Sequence, residues 1–386
     1  MINRFLFFVC MLTAGSHAVS ATIWRVNNNP GVIDGVNTFS ALDAAVSAAA
    51  ADDTIFIEGS VTPYSAVVTV DKTLYILGPG FYLPVNVETQ HIKNSAKVGR
   101  IVFAPGSQGS VLAGVEQINP GTSFVNAATT AFAANVTAWG TANAAVLVND
   151  SNIRILNSRL YMVEIQNDRD LKNIFIQKCW FGPGVIRTTG TSLVAQLVVG
   201  NNFFRNETAA PATANADNLD FATPSGSILL SDNVTANINN NTFYRGFRIV
   251  AKNSIIANNA FFFTGNAYVI TSTTNDYLRN LFTNPVGGMT NGDAGYNLQY
   301  ITSNPLDWFS GSGGNDLYDA YFLAKSGSPS PLKYEIGANE YERGMYGGLS
   351  PYIYSGLTSV PAVYEIVMPV EVTGTGFDVT VKVRAH

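Results

Sequence analysis

Between Asn152 and Phe282 one short pattern keeps returning: an apolar strand, a polar pair, then an aromatic or aliphatic residue. It reads IRILNSRL from Ile153, IFIQKCWF from Ile174, LVVGNNFF from Leu197, ANINNNTF from Ala236, SIIANNAF from Ser254 and DYLRNLF ending at Phe282. The closing residues Leu160, Phe181, Phe204, Phe243, Phe261 and Phe282 stand 21, 23, 39, 18 and 21 residues apart. A period of about twenty residues means a solenoid, in which each unit buries its apolar face only against its neighbours.

Because solenoids grow along one axis, 386 residues need not divide into several globular domains. Only 13% of residues are charged and the formal net charge is -5. Such a chain offers no basic field, which argues against nucleic acid and anionic membrane as partners. The start of the chain reads as a secretory signal over residues 1–21: Arg4, an apolar run from Phe5 to Thr13, and the small residues Val19, Ser20 and Ala21. That run is too short to span a bilayer, and no later stretch is long and apolar enough to do so. Cys10 lies inside it without the residues a lipoprotein signal needs, so the mature chain keeps one cysteine, Cys179, and no internal disulfide.

After the signal, Ile23 to Asn27 alternate as a first strand. Residues 38–50 place apolar side chains at 39, 42, 45, 46 and 49, which predicts a helix with Thr38 or Ser40 as N-cap. A lone amphipathic helix ahead of many strands suits a cap over the open end of a solenoid. Asp53 to Gly59 and Lys72 to Gly80 read as strands stopped by glycine, Gly99 to Val115 as a further coil, and Glu116 to Ala142 as an inserted loop.

The helix followed by DTIFIEGSVTPY and DKTLYILGPGF resembles the N-terminal cap and first coils of secreted right-handed parallel β-helix proteins, the pectate-lyase-like superfamily. Near the other end, Lys325-Ser326-Gly327-Ser328-Pro329 followed by Gly344-Met345-Tyr346-Gly347-Gly348 is similar to the C-terminal coil of such proteins from Gram-negative bacteria, with Ser330 in place of the usual alanine. The resemblance implies an all-β, right-handed parallel β-helix with an N-terminal capping helix over residues 22–350. A proline-marked linker and a short C-terminal strand tail then occupy 351–386.

In a three-strand coil each residue stacks on its counterpart about 4.8 Å away in the next turn. The second residue of each polar pair then forms a column of Ser158, Cys179, Asn202, Asn241, Asn259 and Asn280. Asparagine carries both donor and acceptor and tolerates left-handed turns, so a column of it can bond to itself. The resemblance implies the same asparagine ladder; the plainer alternative is a set of surface turns. The phenylalanine column is expected to fill the core, with Trp180 and Tyr244 as exposed neighbours able to stack on sugars, and Cys179 as a small buried filler.

Related β-helix enzymes place their polysaccharide cleft on the sheet after the bend and the aromatic strand. Here that sheet is expected at Met162 to Asn167, Val185 to Gly190, Ser227 to Asp232, Gly246 to Lys252 and Tyr268 to Thr273, with Glu164, Arg187, Asp232, Arg248 and Lys252 outward. The long step of 39 residues puts an insertion, Arg205 to Pro224, beside it, carrying Asp217 and Asp220. A lyase needs a cation against the uronate carboxyl and a base: Arg187, Arg248 and Lys252 are the catalytic candidates, with Ca²⁺ on Asp217 and Asp220. Glu164 and Asp232 are substrate-binding candidates, and with the two insertion aspartates they are the nearby carboxyls a hydrolase would require. The paired aspartates beside a Gly-His motif that mark the hydrolases are absent, and His91 and His386 are the mature histidines. Scattered surface charge that merely solubilises the sheet competes with all of these roles. The expectation is therefore a monomeric, secreted, outer-surface or periplasmic protein that binds extracellular polysaccharide without catalysis. A polysaccharide lyase or glycoside hydrolase acting on an acidic polysaccharide is the alternative, and a phage tailspike, which shares the fold, is disfavoured by the signal. Asn-x-Thr motifs at Asn135, Asn206 and Asn233 matter only in a eukaryotic secretory host.

Overall fold

The computed structural model describes residues 21–64, 67–86, 89, 92–118, 145–205, 227–244, 247–262, 268–271, 274–283, 298–299, 308–309, 319–324, 332–336, 339–358, 362–367 and 379–384. Residues 1–20 of the expected signal, most of the expected 116–142 loop, Lys325 to Pro329, and Asp217 and Asp220 of the expected insertion lie outside them.

The chain is a right-handed parallel β-helix. Each coil sends one strand into a leading sheet, turns at the polar pair, and continues into a trailing sheet. Among the described residues the leading sheet has 11 strands, from Ile23–Val26 to Asp276–Leu278, and the trailing sheet has 15. Neighbouring strands in both are parallel and in register.

The bend explains why the repeat is so strict. Its first residue is left-handed in every repeat coil: φ is 48° at Asn157, 58° at Lys178, 54° at Asn201, 52° at Asn240, 56° at Asn258 and 53° at Arg279. Asparagine accepts that conformation more readily than most residues, which accounts for its dominance there. The second residue forms the predicted ladder. Asn202 donates from its backbone N–H and its Nδ2 to Oδ1 of Asn241, both at 3.0 Å. Asn241 does the same to Asn259 at 2.8 and 3.0 Å, and Asn259 to Asn280 at 3.1 and 3.0 Å. Each Nδ2 also reaches back to a carbonyl in the coil on its other side, as Asn241 does to Val199 at 2.8 Å. Ser158 and Cys179 continue the column, the thiol donating to the Gln177 carbonyl at 3.3 Å. Burial pushes this thiol up to about 12.

One step further along, Phe181, Phe204, Phe243, Phe261 and Phe282 stack with centroids 4.9, 4.8, 4.7 and 4.7 Å apart. These distances equal the inter-strand step of about 4.8 Å, so the backbone ladder sets the ring spacing. The rings, with the aliphatic residues of both sheets, make one continuous core.

Three local expectations are corrected. The capping helix covers only Leu42–Ala48 and no side chain caps it; Thr38 and Phe39 instead pair in parallel with Arg25 and Val26. Phe39 thereby packs on Trp24, ring centroids 5.7 Å apart, burial that a longer helix would forgo. Glu116–Gln117 is a strand, not the start of a loop. The aromatic strand and the sheet strand are also not separated by a turn at Arg159–Ile165 and Trp180–Thr188. There the chain runs through a bulge between Leu160 and Met162, whose two N–H groups at Tyr161 and Met162 are taken by the Gln117 side chain.

After the last coil, described residues between 332 and 358 run back along the solenoid as a strap over the left-handed corner. The Arg343 guanidinium donates to the Arg279 carbonyl (2.7 Å), and the Gly344 N–H to that of Asn258 (2.8 Å). Asn201 Nδ2 donates to the carbonyls of Met345 (2.9 Å) and Gly347 (2.7 Å), and Asn157 Nδ2 to that of Leu357 (3.3 Å). Thr358 reaches the Gly78 carbonyl at 3.0 Å. Beneath the strap, Trp180, Phe203, Tyr244 and Phe262 pack against Phe309, Phe322, Leu332, Met345 and Tyr352. Trp180 and Tyr244 are only 1% and 7% exposed, so the alternative of sugar stacking by these two rings gives way to packing. The fully buried Asp319 carboxylate fastens the end of this cover, accepting hydrogen bonds from Asn86, Tyr352 and the Ser355 N–H.

Candidate functional site

The trailing-sheet positions alternate as expected. Val163, Ile186, Ile228 and Ile249 point inward and are fully buried, which turns Glu164 and Arg187 outward. Register places Glu164 directly beside Arg187, and Arg248 one row away, level with Val185 through Ser227; the Arg248 side chain is not among the described ones.

Glu164 and Arg187 form a tight ion pair. The guanidinium Nε donates to Glu164 Oε2 at 2.8 Å and its Nη2 donates to the same oxygen, while Gln166 donates to Oε1 at 3.0 Å. The carboxylate is 6% exposed. Two Arg187 donors thus share one Glu164 oxygen and Gln166 takes the other, which commits the carboxylate to bonds within the sheet face. The row above is also closed: Met162 and Val185 are fully buried although they face outward. Lys252 donates to Asp232 at 2.6 Å in an exposed pair, a surface interaction worth about 0–1 kcal/mol. Neither of these two carboxylates is therefore left without a cation. Among the described residues no three His, Cys, Asp or Glu side chains gather into a metal-holding group.

The leading sheet presents the opposite situation. Its central outward row runs Tyr75, Val111, Arg154, Phe175, Val198, Asn237, each paired with the next in register. Tyr75 and Arg154 are exposed and Phe175 and Val198 half-buried. The parallel row two residues on carries Gln177, Gly200 and Asn239, and Asn239 Nδ2 donates to Asn237 Oδ1 at 3.0 Å. A side chain at Gly200 would come within 2.7 Å of the Asn239 side-chain oxygen. Parallel sheets are usually covered on both faces, so an open one is notable. The outward residues expected from the sequence belong instead to the sheet after the bend. The signal was present in the alternation of IRIL, IFIQ and LVVG, whose second or third residues cannot all turn inward. Compared with known proteins, the chain matches no protein family, no curated protein and no solved structure. No helix among the described residues is long and apolar enough to cross a membrane.

Proposed function

We propose that this is a secreted or cell-surface β-helix protein of the pectate-lyase-like type that binds extracellular polysaccharide without cleaving it. The observation that carries this reading is the solvent-open outer face of the leading sheet, where rings, amides and short side chains repeat at the strand step. An extended glycan can lie along such a face, its apolar ring faces on Tyr75, Phe175 and Val198 and its hydroxyls on Gln177, Asn237 and Asn239. The mutual neutralisation of Glu164 with Arg187 and of Asp232 with Lys252 supports the non-catalytic choice.

Incubation with a broad polysaccharide panel tests the reading on two signals, retention of the polymer and absorbance of unsaturated uronate. Binding without product is expected. Product that disappears in Arg248→Ala would replace this reading with the lyase, and no retention of any polymer would remove it.

A further inference from the structure

We propose that the leading sheet carries a subsite for an anionic substituent of the glycan, with Arg154 taking the anion, Phe175 the sugar ring and Lys172 the adjoining charge. The proposal rests on the polysaccharide reading above, and it moves recognition to the sheet face opposite the one the fold resemblance favours.

Arg154 is exposed on this face, and Lys172 is exposed on the far side of the corner that precedes Phe175. The protein as a whole is acidic, with 27 Asp and Glu against 22 Lys and Arg. Four other exposed or half-exposed cations meet carboxylates, Arg25 with Glu58, Arg169 with Asp150, Lys252 with Asp232 and Lys333 with Glu340, while Lys72 and Lys93 bond instead to carbonyl and hydroxyl oxygens. Among the described residues neither Arg154 nor Lys172 has a carboxylate within ion-pair distance. In its row the acidic member is Asp276, five strands away.

Arg154 is held in place instead by aromatic contact. It stands in register with Phe175 of the next coil, its guanidinium carbon 5.8 Å from the ring centroid. Lys172 lies three residues before Phe175 on the same strand. The left-handed residue between them, Asn173 with φ of 56°, donates its Nδ2 to Oδ1 of Asn152 at 2.7 Å and so fixes the corner. The result is a planar donor fork over a ring, with a second exposed cation three residues earlier on the strand that carries the ring. That combination fits a pyranose bearing a carboxylate or sulfate: the C–H face of the sugar packs on Phe175 and the anion takes two parallel N–H bonds from Arg154. Charge complementarity thus selects the occupant. A neutral chain would leave both cations without a partner.

The test is calorimetric titration of the full-length protein with polygalacturonate, its carboxyl-reduced form and dextran sulfate. The wild type should bind at least one of the two anionic polymers, with affinity falling as salt rises. Removing the charge on either side, by carboxyl reduction of polygalacturonate or by Arg154→Gln, should weaken binding about tenfold. Doing both should cost little more than doing one. Lys172→Gln should lower affinity by a smaller factor and flatten the salt dependence. Tighter binding of polygalacturonate assigns the anion as a carboxylate, and tighter binding of dextran sulfate as a sulfate. If carboxyl-reduced polymer binds as well as both anionic polymers, or Arg154→Gln binds like the wild type, the subsite is overturned while polysaccharide binding stands. If none of the three polymers nor any neutral glycan binds, the functional reading itself falls. Arg154 is exposed and outside the core, so an unchanged circular dichroism spectrum separates lost recognition from lost folding.

Discussion

The two sheets are wound from the same coils, yet their outer faces have opposite fates. Outside the trailing sheet, Trp180, Phe203, Tyr244 and Phe262 lie under the returning strap, and Glu164 is closed against Arg187. Outside the leading sheet, Tyr75, Arg154 and Ile255 meet solvent. The difference teaches that the repeat decides only what faces inward. What happens outside depends on a segment that does not repeat, and a face left uncovered by it is where an external partner has room.

Matched substitutions break or sharpen this contrast. Phe203 is fully buried, stacked on Trp180 at 4.1 Å and near Phe322 at 4.4 Å, so Phe203→Ala should lower unfolding free energy by about 3–5 kcal/mol. Its counterpart on the open face, Phe175→Ala, should cost about 1 kcal/mol or less in the same denaturant titration. Equal losses would erase the distinction between the faces. The charged pair comes next. Glu164→Ala strands Arg187 and should cost about 3 kcal/mol, whereas Arg154→Ala should stay within about 0.5 kcal/mol. The corner that both sheets share is tested by Asn241→Ala, which leaves the Asn202 N–H unpaired and should cost about 1–3 kcal/mol; a neutral result would make the ladder decorative. The last effect is one of pH. The folded-state thiol of Cys179 is raised by burial from 9.0 to about 12, so its contribution is intact below pH 9 and is lost as pH rises from 9 towards 12, where the unfolded chain ionises first. Wild type should lose more stability across that window than Cys179→Ala, and alkylation of native protein should await unfolding.

The sequence made the interior legible and the exterior largely illegible, for one physical reason. Stacking converts a chain period into a spatial column, so Asn202, Asn241, Asn259 and Asn280, or Phe204, Phe243 and Phe261, could be placed by counting. The strap has no period to count. Nothing in the letters around Met345 or Tyr352 says which coil they touch, and Trp180 and Tyr244 therefore read as exposed when they are covered. Arg187 was correctly turned outward, but alternation gives direction and not company, and the company of Glu164 is what closes that position. The capping helix is present, and only its start differs: residues 38 and 39 fit either period, and pairing with Arg25 and Val26 settled it.

The strap's contacts with Arg279, Asn258, Asn240, Asn201, Asn157 and Gly78 also make it a measuring tape. Its carbonyls and amides meet one particular corner after another, so the number of coils between Gly78 and Arg279 is written twice, once in the windings and once in the tape. Gain or loss of a single coil, the ordinary way for repeat proteins to change length, would put every later mark out of step. A chain built this way can vary its faces freely but is held to one length.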